Sequence, residues 1–346
     1  MLLSPDVIAQ ITHARAEHPN LRTRDLAAAI GLSEAHLVAA ETGSAVTRIC
    51  ADPARLMPHV CRMGDVMALT RNESAVHERR GTYTNFHAGA HASMVLGDEI
   101  DLRIFPRHWV HGFAVQRETE TGTKRSIQVF DAAGDAVHKV HLGAESDSVA
   151  FEAAVADLAL PGGATFEIAA RAEAEPARIA EDRIEALRSD WAQMSDTHQF
   201  LAMVRRQKMN RLGANRAVGP QFARPLPLDA VSHALERSAA DGLNIMIFVG
   251  NEGCIQIHSG PLLRIAPMGP WQNVLDPRFN LHLRADHIAE VWLVSKPTKR
   301  GPAVSVEAFD AKGRLILQMF GKRAETGTDT TGWDRMTAGL AAEVMA

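Results

Sequence analysis

One histidine stands at the head of a cationic, amphipathic stretch, MSDTHQFLAMVRRQKMNR, at residues 194–211. It is His198, and it follows Ser195 and Asp196, either of which can cap a helix by accepting a backbone N–H. Phe200, Leu201, Val204 and Leu212 supply part of an apolar stripe, while Arg205, Arg206, Lys208 and Arg211 add positive charge. An imidazole with apolar neighbours and several cations within a few turns suits a flat apolar ring that carries a metal and carboxylates, as haem does. The imidazole would ligate iron and the cations would pair with the carboxylates. The same residues also read as a capped helix with an incidental histidine, and the stretch by itself leaves both readings open.

Other constellations carry less. HAGAH (87–91) has two histidines four apart, the spacing of zinc ligands on a helix. Here the pair follows a strand pattern, encloses a glycine and has no Cys, Asp or Glu nearby to complete a site. Strand histidines are therefore expected, as in HWVHG and HKVH. The chain has no nucleophile elbow, Walker loop or dinucleotide glycine fingerprint. RDLAAAIGLSEAHLVAAETG (24–43) has the layout of a helix-turn-helix, with Gly31 at the turn and Ser33 as cap. Its second helix, SEAHLVAAE, offers two glutamates and no Arg or Lys to base edges, so a hairpin packed on a sheet is the expectation.

The elements that must hold these residues repeat. Shifted by 179 positions, residues 66–142 fall on 245–321 without a gap, and sixteen of the 77 paired positions are identical. Asn72-Glu73 falls on Asn251-Glu252, Gly81 on Gly260, His108 on His287, Ser126 on Ser305, and FDAAG (130–134) on FDAKG (309–313). A period this long marks a duplicated domain, since solenoid units run about 20–50 residues. Each copy reads as antiparallel sheet. RSIQVFDAAGDAVHKVHL and AVSVEAFDAKGRLILQMF are strand–turn–strand, and the paired segments from 66 and from 245 are hairpins turning at Asn-Glu-Ser/Gly. Helical patterns precede each sheet, at 22–40 and 52–63, then at 184–211 and 228–240. The predicted class is α+β: a tandem duplication of an antiparallel sheet domain, with helices packed on each sheet. The expected division is an N-terminal repeat at 1–160, a linker at 161–183 rich in Ala, Glu, Gly and Pro, and a C-terminal repeat at 184–346.

Bulk properties narrow the classes. A formal charge of −4 argues against a DNA-coating surface, so no nucleic-acid partner is expected. Cys50, Cys61 and Cys254 make no CxxC pair and leave one odd, which fits a reducing compartment. No signal-peptide pattern and no long uncharged apolar window appear, so a cytoplasmic protein that is not membrane-embedded is expected.

RDLAAAIGLSEAHL, TRNESAVHE, LRIFPRHW, SIQVFDAAGDAVHKV, DTHQF, IFVGNEGCIQIHSG, FNLHLRADHIAEVWLVSKPT and FGKR together resemble the HemS/HmuS/ChuS family, the hemin-degrading factors of bacterial haem uptake. The resemblance runs in order from about residue 20 to 323. It implies a tandem repeat and a haem b bound in the C-terminal half. His198 matches the family's axial ligand to the haem iron, and Arg103 the arginine facing the iron's other side, with Phe105 beside it. Arg211, Lys296 and Arg323 match basic residues around the haem and its propionates, and Phe248 and Gln318 match further pocket positions. Phe320 stands where some relatives have tyrosine, so a phenolic hydrogen bond is absent there.

The function this implies is a cytoplasmic haem carrier that receives imported haem and transfers it onward. Its partners would be haem itself, an inner-membrane haem importer, and a haem oxygenase or reductase. The alternative is an enzyme that opens the tetrapyrrole and releases iron with electrons from a partner. Arg103 falls on His282 and Lys296 on Arg117, so the copies differ at the matched positions and one haem per chain is expected. His77 is the residue suspected for a weaker second site.

Overall fold

A computed structural model describes residues 3–162, 164–323 and 330–342. The chain divides into two compact units. The first holds residues 1–71, 77–172 and 250–256, and the second holds 72–76, 173–249 and 257–346. Each copy therefore gives one hairpin tip to the other's unit. The break at 172/173 falls inside the segment expected as linker, whose parts are anchored. Arg48 donates to the carbonyls of Ala164 and Thr165, and Phe166 and Ile168 pack on a core cluster.

The first unit runs α1 (Pro5–Glu17), α2 (Thr23–Ala29), α3 (Glu34–Ala39), β1 (Val46–Ile49), α4 (Pro53–Val60), β2 (Gly64–Arg71), β3 (Ala75–Gly81), β4 (Phe86–His87), β5 (Ser93–Leu96), β6 (Asp101–Ile104), β7 (His111–Thr119), β8 (Gly122–Phe130), β9 (Ala136–Ser146) and α5 (Ser148–Leu158). Its main antiparallel run is β1-β7-β8-β9-β2, and β4-β5-β6 form a smaller one. Asp52 and Asp147 start α4 and α5 by accepting N–H bonds from their first turns. Leu56, Met57, Val60, Phe151 and Leu158 from these helices form one core cluster, and Ile11, Leu26, Leu37 and Val38 from α1–α3 form another with Phe113 and Phe130. The segment 24–43 is thus the packed hairpin expected. Leu37 is fully buried, and Glu34 bonds Lys139 of β9 at 2.6 Å.

The second unit repeats the plan with α6 (Ile184–Ala192), α7 (Gln199–Arg206), α8 (Arg211–Val218), β10 (Ala223–Leu226), α9 (Ala230–Ala240), β11 (Ile245–Gly250), β12 (Cys254–Gly260), β13 (Trp271–Leu275), β14 (Phe279–Arg284), β15 (Ile288–Lys296), β16 (Ala303–Asp310), β17 (Leu315–Gly321) and α10 (Thr331–Ala342). The run β10-β15-β16-β17-β11 has the strand order of the first unit's main run, and β13 pairs β14. The helical pattern at 184–211 is two short helices, α6 and α7, with α8 starting at its last residue. Lys208, at φ 56°, ends α7, and Asn210 caps α8.

Three polar or glycine identities shared by the copies, Asn72/Asn251, Asp131/Asp310 and Gly134/Gly313, sit at turns. Asp131 accepts the N–H groups of Ala133 and Asp135, and Asp310 those of Lys312 and Arg314. Gly134 and Gly313 take the left-handed backbone that closes each turn, at φ 76° and 80°. Asn72 accepts from Ser74 and Ala75 and donates to the Ile316 carbonyl in the second unit, and Asn251 accepts from Gly253 and Cys254 and donates to Val137 in the first.

Candidate functional site

The second unit's main sheet has two unlike faces. Ile245, Ile247, Val249, Val291, Leu293, Val306, Ala308, Leu317 and Met319 point to an aliphatic core shared with α9 and α10. Because a strand alternates, the residues between them take the other face. That face carries Phe248 on β11, Lys296 on β15, Ser305 and Glu307 on β16, and Gln318 and Phe320 on β17. Gln318 is cross-strand partner to both Phe248 and Glu307.

Glu307 is the centre of this face. Its fully buried carboxylate accepts from Lys296 Nζ at 2.6 Å, Gln318 Nε2 at 2.7 Å, Ser305 Oγ at 3.0 Å, and Arg211 Nη1 and Asn215 Nδ2 at 3.3 Å. Burial pushes this carboxyl up. Lys296 and Arg211, with the bonds from Lys296 and Asn215, more than offset that and hold it at about 2. Burial pushes the Lys296 ammonium down, against the attraction of Glu307. With a carboxylate at 2.6 Å the pair is ionised at neutral pH, and two cations against one anion leave an excess positive charge.

Arg211 and Asn215 come from one face of α8, four residues apart. That helix is set by Asn210, whose Oδ1 accepts the N–H of Gly213 and of Arg178. A Cβ at Gly213 would lie 1.9 Å from the Arg178 carbonyl oxygen, so only glycine lets α8 meet this segment so closely. Phe200 on α7 covers the cations, with its ring centroid 4.9 Å from Arg211 Cζ and 4.7 Å from Lys296 Nζ. Phe248 and Phe320 meet edge to face at 5.3 Å.

His198 heads α7 as its N-cap residue, with its side chain 90% exposed. Its Nδ1 is 2.6 Å from Asp196 Oδ1, which also accepts the His198 backbone N–H at 2.8 Å. The backbone N–H and then the ring hold the Asp196 carboxyl below its usual range. Arg323 clamps the turn between β15 and β16 through Thr298 Oγ1 and the carbonyls of Gly301 and Pro302. The Lys299 N–H of the same turn donates to Ser195.

Arg103 and Phe105 belong to the first unit. Arg103 pairs with Asp101 and the Leu102 carbonyl, and the Phe105 N–H donates to Gly253. His77 is fully buried, so it cannot meet a ligand without local opening. His87 and His91 are exposed, and the described residues contain no cluster of three or more His, Cys, Asp or Glu able to hold a metal ion.

The structure thus joins Arg211, Lys296 and Gln318 on one carboxylate and sets Phe248 edge to face against Phe320. The sequence pattern did not single out Glu307 or Asn215, and it offered Asp196 only as a helix cap, whereas His198 is the N-cap residue and Asp196 bonds its ring and backbone N–H. The available signal was a glutamate inside the apolar strand AVSVEAFD, two residues from Ser305 and so on its face. No described helix is long and apolar enough to cross a membrane.

In the first unit the matching positions are Leu69, Arg117, Gln128, Lys139 and His141. No carboxylate stands at the Glu307 position. Lys139 bonds Glu34 of α3, and Arg117 bonds Glu41. The two faces are chemically different despite the shared fold.

Comparison with known proteins agrees with the duplication. The haemin-degrading HemS.ChuX domain matches residues 31–158 and again 208–340. The chain is 36% identical to the hemin transport protein HmuS of Yersinia pestis over 98% of both chains. It superposes with a TM-score of 0.92 on holo-PhuS, a haem-binding protein from Pseudomonas aeruginosa, at 40% identity, covering 98% of this chain and 99% of that one. The haem-degrading enzyme ChuS of Escherichia coli O157:H7 gives 0.89 at 32% identity, covering 96% and 99%. Matched twice by one domain and along nearly its whole length by these relatives, the chain belongs to the haemin-degrading HemS/ChuX family.

Proposed function

We propose that this protein binds haem on the α7–α8 side of its second unit and passes it on in the cytoplasm, with His198 as the protein ligand to iron. One observation carries the reading. The first turn of α7 presents an exposed imidazole, and two residues later Phe200 lies over the Arg211–Lys296 pair. One short helix therefore carries the imidazole on its exposed side and, through the buried Phe200, packs on the surplus positive charge beneath it. Haem supplies an iron with axial positions and two carboxylates, and this donor set fits it. Arg211, 19% exposed, is the cation a carboxylate can reach, while Lys296, 3% exposed, acts from beneath as fixed charge. Phe248 and Phe320 offer apolar contact, and Arg323 keeps its turn in place.

A single ligand on an exposed loop suits a carrier, because one bond is easier to surrender than two. The transport role of HmuS and the haem binding of PhuS support this reading, with an inner-membrane importer as donor and a haem oxygenase or reductase as acceptor. The likeness to ChuS, a haem-degrading enzyme, favours a second reading in which haem is opened here with electrons from a partner. Incubating the haem-loaded protein aerobically with reductant and catalase separates the two. Intact haem recovered in an acceptor supports carriage, whereas ring-opened tetrapyrrole with free iron supports degradation.

A further inference from the structure

We propose that Asp196 is the positioning residue for His198: its carboxylate fixes the tautomer and direction of the imidazole and makes it a stronger donor to iron. The inference rests on the haem reading above and deepens it. A carboxylate oxygen only accepts hydrogen bonds, so with Asp196 Oδ1 2.6 Å from Nδ1, that nitrogen carries the proton. The neutral ring then keeps its lone pair on Nε2, the nitrogen left for a metal.

The ring needs such a device. At 90% exposure no packing selects one rotamer or one tautomer. Asp196 bonds both the ring and the backbone N–H of the same residue, the latter at 2.8 Å, so ring and main chain are held as one piece. The loop is fixed in turn. Gln199 Oε1 accepts the N–H of Ser195 at 2.9 Å and of Asp196 at 3.3 Å, and the Ser195 carbonyl accepts from Lys299 at 3.0 Å. An anionic partner on the distal nitrogen raises the basicity of a ligating imidazole and orients it, and loss of such partners lowers metal affinity or activity.

The test uses the full chain loaded with haem, in wild type, Asp196→Asn, Asp196→Ala, Asp196→Glu and His198→Ala. Asn keeps an acceptor of the same shape without the charge, and Ala removes both. Two quantities are read: the iron–histidine stretching band of the ferrous form by resonance Raman, and the rate of haem release to excess apomyoglobin. The expected result is a band moved to lower wavenumber in Asp196→Asn and further in Asp196→Ala. Release should quicken about tenfold in the first and up to about a hundredfold in the second. Asp196→Glu should recover part of both. If His198→Ala loses the band while Asp196→Asn and Asp196→Ala leave band and release unchanged, the role of Asp196 is overturned and His198 stands. If His198→Ala keeps the wild-type band, the haem reading itself fails.

Discussion

Lys296 Nζ stands 2.6 Å from Glu307 Oε1, with the two side chains 3% and 0% exposed. Two charges taken out of water cost several kcal/mol each, and their attraction offsets this only when the remaining donors and acceptors are satisfied. Here Gln318, Ser305, Asn215 and Arg211 complete the carboxylate's bonds. An aliphatic pair would serve packing as well. What this pair adds is a fixed cation beneath Phe200, beside Arg211.

Removing the two partners should have unequal effects. Glu307→Gln leaves Arg211 and Lys296 facing each other without an anion and should destabilise the chain by about 3–5 kcal/mol. Lys296→Met should cost less, because Arg211, Asn215 and Gln318 still hold the carboxylate. Urea midpoints of the two variants check this order, and a reversed order contradicts it.

Acid should act in two windows. His138 in the first unit is driven down to about 3 by burial and then by the nearby His141, against an ordinary value of 6.5. The unfolded chain takes this proton first, so the contribution is full above pH 6.5 and is lost as pH falls toward 3. Glu307, at about 2 against 4.5, contributes fully above pH 4.5 and loses it as pH falls toward 2, at most about 3 kcal/mol. Lys296, held low by burial, reduces that figure. Urea midpoints from pH 7 to 3 should fall in both windows. His138→Gln should shrink the upper one, of which His141, driven down to about 4 by burial and then Lys139, carries the rest, and Glu307→Gln should flatten the lower. A midpoint constant between pH 6.5 and 5 contradicts the assignment to His138.

The chain's one tyrosine offers a clean optical check. Tyr83 is buried and donates to His138 Nε2 at 2.6 Å, and Thr70 Oγ1 lies 2.8 Å from Nδ1. Burial first, then Cys254 and Cys61, push this phenol well above 10. Alkaline titration should show no phenolate absorbance past pH 10 until the chain unfolds. Tyr83→Phe should cost about 1–3 kcal/mol by orphaning a buried ring nitrogen. A phenolate signal from the folded chain at pH 10 contradicts the burial of this pair.

The fold was legible because its shared residues obey local rules. Asp131 with Gly134, and Asp310 with Gly313, are turn chemistry written twice, and strand alternation predicts the aliphatic face facing α9 and α10. The exchange of the hairpin tips at 72–76 and 250–256 was not legible, since swapped and unswapped hairpins share one pattern. Residue type and spacing alone singled out His198 and Arg211 as candidates. Glu307 was hidden because its meaning depends on Lys296 and Ser305 reaching it across neighbouring strands and on Arg211 and Asn215 reaching it from α8. Lys296 shows the same limit from the other side. The family resemblance implied a cation around the haem, while its place at the buried end of β15 pairs it with Glu307.

Haem titration of wild type and His198→Ala, followed by the Soret band, decides whether His198 ligates the iron. The wild type should bind one tight haem per chain, and the variant should show a displaced band with weaker binding. An unchanged band and affinity in His198→Ala, or two tight haems per wild-type chain, would contradict this reading.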